Sequence, residues 1–208
     1  MTTGASACIG AVVGIVAGYQ GGAVDNVLMR AADIVLALPL LPVLIVLAAI
    51  DLSKLGIDAG GPADLERIVV LIALFGWPSA ARLVRAATLS VKGREFVRAA
   101  AALGASPLRI MAVHILPNAI SPLAVSTTLS VGQVILFESV LSFLGLGIQP
   151  PRASWGGMLT GAQELVWSAP QLVVYPGALI FVTVLAINFL GDGLERAFDP
   201  RAATEKAT

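Results

Sequence analysis

Glu95-Phe96-Val97-Arg98-Ala99-Ala100-Ala101-Ala102-Leu103-Gly104-Ala105-Ser106-Pro107-Leu108-Arg109-Ile110-Met111-Ala112-Val113-His114-Ile115-Leu116-Pro117-Asn118 is the stretch on which the architecture turns. Alanine is the best helix former, so the run up to Leu103 reads as a short helix, and Gly104 is placed to take the left-handed conformation that closes it. Ser106 can cap a new helix, with Pro107 at its first position, where a missing N–H costs nothing. Pro117 is expected to end that second helix or bend it. The product is a helix, a tight corner and a second helix leading onward. Four alanines beside a glycine let another surface approach the backbone closely, and Glu95 with the arginines supplies a polar edge for registration. The competing readings are a solvated amphipathic loop and a DNA-reading helix-turn-helix.

Working outward, the flanks are too apolar for a soluble domain. Of 208 residues, 57% are hydrophobic and 12% charged, about half the charged fraction of ordinary soluble domains, and the mean hydropathy is +0.90. A helix needs about 20 apolar residues to cross the hydrocarbon, because lipid offers no partner to an unsatisfied amide. Five segments qualify: about Ala5 to Tyr19, Val27 to Ile50, Ile68 to Leu89, Ile120 to Leu146, and Leu172 to Leu190. The expected fold is therefore all-α and membrane-spanning, one domain over 1–208, with a loop at 92–118 that stays outside the bilayer. Pro39, Pro42 and Pro78 fall inside spans and should kink them. With spans this close on either side, neither loop helix could reach a DNA groove, and no nucleic acid is expected.

Orientation follows from Lys and Arg near span ends, which resist translocation. Arg82, Arg85, Lys92, Arg94, Arg98 and Arg109 lie between the third and fourth spans with Glu95 the only acid, so this loop is expected in the cytoplasm. Arg196, Arg201 and Lys206 follow the last span on the same side. The loop with Asp51, Asp58, Asp64 and Glu66 against Lys54, and the loop with Arg152 and Glu164, should be external, as should Met1.

The segment from Glu95 to Asn118 resembles the EAA loop of bacterial ABC importer permeases, in which Ala-Ala, three residues, Gly and a later Leu-Pro recur. Ala99, Ala100, Gly104, Leu116 and Pro117 match that spacing, with Arg98 at the position of the motif's Glu, His114 at that of its Ile, and Glu95 one turn earlier. More of the chain is similar to the dipeptide/oligopeptide/nickel branch. The matching blocks run in the same order: Gly18-Tyr19-Gln20-Gly21-Gly22, Met29-Arg30 with Asp33, Gly76-Trp77-Pro78, Glu138 through Gly147, Ser154-Trp155-Gly156 and Gly191-Asp192-Gly193-Leu194. The resemblance implies the type I importer permease fold, a permease subunit that pairs with a second, homologous permease, docks two ABC ATPase subunits and receives solute from an extracytoplasmic binding protein. Di- or oligopeptides are the cargo class. It also implies one more span ahead of the segment that begins this chain, and a home in a prokaryotic inner membrane.

Catalysis is not expected. No Gly-Lys dipeptide occurs, so no phosphate-cradling P-loop can form and ATP must be handled by other chains. The single His114 has no cysteine or carboxylate at triad or metal spacing, Cys8 has no thiol to pair with, and no cofactor or metal is expected. Ionisable or amide groups inside spans are costly and mark candidate positions on a translocation path or subunit interface, here Glu138, Asp33 and Asn188. Asp192, Glu195, Arg196 and Asp199 read as a solvated helix end, and Trp155, Trp167 and Tyr175 as interfacial anchors. A self-contained secondary transporter or channel would instead show paired repeats with broken helices around an ionisable cluster.

Overall fold

In a computed structural model, which describes residues 1–50 and 63–198, every regular element is a helix. Asp51, Lys54 and Asp58, and the tail charges Asp199, Arg201 and Lys206, lie outside the described residues. Among the described residues, four helices are long and apolar enough to cross a bilayer: Thr2–Gln20, Glu66–Lys92, Pro107–Phe143 and Gln171–Ala197. They belong to α1 (Thr2–Gln20), α4 (Ala63–Lys92), α7 (Leu116–Phe143) with its lead-in, and α9 (Gln171–Phe198). The second expected span is two helices, α2 (Gly22–Ala37) and α3 (Leu40–Ala49), bent by 80°. The cause is local. Proline disfavours helical backbone in the residue before it, and Leu38, just ahead of Pro39, is extended at φ −77° and ψ 135°. By contrast α4 runs on through Pro78 without a break.

Glycine spacing sets the tightest contact. Gly10, Gly14 and Gly18 form one stripe of α1, and a β-carbon at each would meet α4: 2.5 Å from the Ala80 β-carbon, 2.5 Å from the Ala81 carbonyl and 2.8 Å from the Thr88 β-carbon respectively. Small residues every fourth position let two helix backbones approach in this way. The contacts advance together along both helices, so α1 and α4 run parallel. Two parallel neighbours require the chain to return between them, which is what the bent α2–α3 pair does. On the other flank α7 and α9 are antiparallel: a β-carbon at Gly132 would lie 3.3 Å from Asn188 Oδ1, and one at Gly191 would lie 2.7 Å from the Leu129 side chain.

Charged side chains fasten what apolar packing leaves loose. α2 is largely exposed but is tied to α4 by two ion pairs. Arg85 grips Asp25 through both oxygens at 2.5 Å, with Asp25 only 9% exposed, and Arg82 pairs with Asp33. Arg82 and Arg85 are thus helix-to-helix ties inside α4 as well as positive charges near its end. Arg67 donates to the carbonyls of Leu47 and Ile50, and Lys92 donates to the Tyr19 carbonyl while lying 5.2 Å above the Tyr19 ring. Both cations sit where a helix end leaves carbonyls unpaired. One apolar cluster, Leu44, Ile68, Ile72 and Leu141, joins α3, α4 and α7 at one end of the bundle. The opposite end is held by Ile15, Val84, Val91, Val97, Ile110, Ile115 and Ala119. Along α9, Val174, Phe181, Val182 and Phe189 face outward, as suits a helix with one face toward lipid.

Candidate functional site

The segment from Glu95 to Asn118 folds as a knob at the second of these ends. α5 (Glu95–Ala102) begins with Glu95 in its first turn, where a carboxylate complements the helix dipole. Its end is a Schellman closure: the Ala105 amide donates to the Ala100 carbonyl at 3.1 Å, the Gly104 amide to the Ala101 carbonyl at 3.0 Å, and Gly104 has φ +83°. Nothing lies within 4 Å of where a Gly104 β-carbon would be, so within this chain the glycine serves backbone conformation and not close packing. Ser106 then accepts from the Arg109 amide at 3.4 Å and Pro107 opens α6 (Pro107–Arg109).

Beyond Arg109 the chain does not stop at Pro117, where an end or a bend was expected. A π-helical turn, Ile110–Ile115, leads directly into α7, and the Leu116 amide donates five residues back to the Met111 carbonyl. Pro117 has no N–H to continue the ladder, so it sits where the hydrogen-bond pattern changes, and Asn118 Nδ2 donates to the His114 carbonyl at 2.7 Å. Such single π turns cluster at functional positions. Val97 and Ile110 are the buried anchors, packed with Val91 of α4, Ile115 of the π turn and Ala119 of α7, with Leu116 half-buried beside them. Glu95, Arg98 and Ala99 point outward, Ala100 is half-buried, and Leu103 and Leu108 at the corner are 89% and 75% exposed. His114 packs its ring 6.1 Å from Phe96. The knob is therefore a projection seated on three spans and presenting an apolar corner rimmed by guanidinium groups.

The three polar span residues are not brought together. Glu138 accepts from Ser142 Oγ at 2.5 Å, and that same oxygen accepts from the Ile148 amide at 3.0 Å, which ties the carboxylate to the turn after α7. Against this turn lies α8 (Trp155–Ala162): Thr160 donates to the Ser142 carbonyl at 3.0 Å, Ser154 caps the helix, and a β-carbon at Gly156 would lie 2.4 Å from the Ser139 carbonyl. Asp33 is held by Arg82, and Asn188 lies against Gly132 of α7.

A groove of about 690 Å³ opens elsewhere, between α4, α7 and α9, and Ser79, Ser121, Ser126, Ser130, Gln133 and Glu195 supply its polar wall. The serines and Gln133 did not stand out in the sequence, although Ser121, Ser126, Ser130 and Gln133 recur along α7. A polar row on a membrane helix faces protein or water and not lipid, which is the signal that could have found it. Glu195, read as part of a solvated helix end, lines this groove.

Comparison with known proteins fits this geometry. Residues 10–204 match the family model described as binding-protein-dependent transport system inner membrane component. A di/tripeptide transport system permease protein of Pseudomonas aeruginosa is 41% identical over 192 residues, covering 92% of this chain and 60% of that protein. A glutathione transport system permease protein of Pectobacterium atrosepticum is 38% identical over 193 residues, covering 93% and 61%. The chain thus spans less than two thirds of the length of these relatives. Among solved structures, an amino acid ABC transporter with histidines aligns with a TM-score of 0.58 at 18% identity, over 95% of this chain and 89% of that one.

Proposed function

The chain belongs to the binding-protein-dependent transport system inner membrane component family, and on that premise we propose that it is the membrane-spanning permease subunit of an ATP-driven importer for di- or oligopeptides. Its partners in this reading are two ABC ATPase subunits, a homologous second permease and an extracytoplasmic solute-binding protein. The relatives named for di/tripeptide and glutathione transport support the cargo class. The knob, residues 92–118, faces the cytosol and is the handle on which an ATPase acts, with Glu95, Arg98, Ala99, Ala100 and Gly104 at the contact and Leu116 and Pro117 passing its movement to α7.

The observation that carries this is the seating of the knob. Val97 and Ile110 lock it to the ends of α1, α4 and α7, so displacement of α5 must displace the spans. ATPase closure would bias such a two-position element, and the reciprocal effect of solute on ATP hydrolysis follows. Glu138, Asp33 and Asn188 serve in this account as polar contacts that hold the path-forming helices or meet the partner permease, while the groove walled by Ser126 and Gln133 is the path surface this subunit contributes.

Gly104 gives the test. A side chain other than Gly or Asn at φ +83° costs roughly 1–2 kcal/mol, enough to distort so short a helix end. Gly104→Val is expected to abolish ATP-driven uptake and loosen ATPase association in pull-downs, whereas Gly104→Asn, which tolerates the left-handed region, retains most of both. Normal transport by Gly104→Val would remove the coupling role.

A further inference from the structure

Of the six polar residues walling the groove between α4, α7 and α9, five are hydroxyl or amide side chains and one is ionisable. The antiparallel register places that one. Gly132 faces Asn188 and Leu129 faces Gly191, so Glu195, four residues further along α9, comes level with Val125 and Ser126 of α7. At 1.5 Å per residue this is about 10 Å from the level of Gln133 toward the knob end. Glu195 has no cation partner among the described residues, whose two ion pairs are Arg82–Asp33 and Arg85–Asp25. Among the described lining residues the groove therefore carries one charge without an ion-pair partner, negative, near the knob-side end of α9. A cleft walled by one sign of charge raises the local concentration of the opposite ion by roughly tenfold or more.

Resting on the permease reading, we infer that Glu195 is a charge-selecting residue of the translocation groove. It favours solutes bearing an ammonium group, such as a free peptide N-terminus or a lysine side chain, and disfavours anionic ones in the cytosolic half of the path. The hydroxyl and amide row above it, from Gln133 to Ser126, accepts polar uncharged groups without sorting them by charge. Glu195→Gln removes the sorting and leaves the shape of the groove.

Ser126, level with Glu195, provides a probe that needs no knowledge of the natural cargo. In a Cys8→Ser background, Ser126→Cys is placed in the assembled transporter in inverted membrane vesicles. It is then reacted with a cationic and an anionic methanethiosulfonate of matched size. The expected result is preference for the cationic reagent, with the ratio of rates falling about tenfold when Glu195→Gln is added. A ratio that Glu195→Gln does not change overturns the selecting role while leaving the groove as a water-filled path. Failure of Ser126→Cys to react with either reagent shows a closed groove, and overturns both this inference and the assignment of the path.

Discussion

Gly14→Ile is expected to lower the amount of folded protein in the membrane several-fold. A β-carbon at Gly14 already lies 2.5 Å from the Ala81 carbonyl, 2.8 Å from the Val84 β-carbon and 2.9 Å from the Arg85 amide. None of these is a flexible side-chain tip, so the two backbones must separate. Separation breaks the whole stripe, because Gly10 and Gly18 make the same contact on either side. Overpacking typically costs about 1–3 kcal/mol, and an isoleucine against backbone belongs at or above the upper end. In a cell that is a several-fold loss of steady-state protein, read by immunoblot of membranes, with uptake lost in parallel. Gly177→Ile is the control: nothing lies within 4 Å of its β-carbon position, and its level should be unchanged. Equal abundance of the two variants would mean that α1 and α4 do not pack through glycine.

The second large effect belongs to Asp25 and Arg85. Arg85→Met leaves Asp25, 9% exposed, as a buried charge without its partner. Removing one member of such a pair costs about 3–5 kcal/mol, and the lower figure applies because the Arg85 side chain is a third exposed. Asp25→Ala should cost less, since the longer Arg85 can reach toward water. The double variant Asp25→Ala/Arg85→Met should melt closer to the parent protein than Arg85→Met alone, measured by thermal unfolding in detergent. The Asp33–Arg82 pair, about half exposed on both sides, should behave as a surface pair worth at most about 1 kcal/mol. A double variant whose loss equals the sum of the singles would show that the two side chains do not act together.

These two features also mark where the sequence was and was not legible. The knob was readable because its signals are local: alanines for α5, Gly104 for the closure, Ser106 and Pro107 for the restart, each acting within a turn or so of helix. The spans were readable because lipid imposes length and apolarity on each segment separately. The kink expected at Pro39 is the 80° break at Leu38–Pro39, since the residue before a proline leaves the helix; its size was not legible, because hydropathy sums across Val27 to Ile50 and sees no interruption in apolar character. Of the two outcomes expected at Pro117, an end or a bend, the end does not occur. The proline's missing donor falls on a π turn that already shifts the ladder by one residue, so the helix runs through it. The Gly10, Gly14 and Gly18 spacing lay open in the sequence as a small-residue stripe, but its partner α4 is distant along the chain. Asp25 and Arg85 are 60 residues apart, and no local pattern pairs them. The polar row from Ser121 to Gln133 and its meeting with Glu195 likewise emerge only when α7 and α9 lie side by side.

Coupling requires the knob to be a cytosolic surface covered by an ATPase, and Leu103, at its exposed corner, tests that most directly. Leu103→Cys in a Cys8→Ser background is labelled with a membrane-impermeant maleimide in right-side-out and in inverted vesicles, the latter with the ATPase subunits bound and after stripping. The expected result is labelling only in inverted vesicles, strong after stripping and suppressed when the ATPases are bound. Labelling in right-side-out vesicles, or labelling that bound ATPase leaves unchanged, would contradict it.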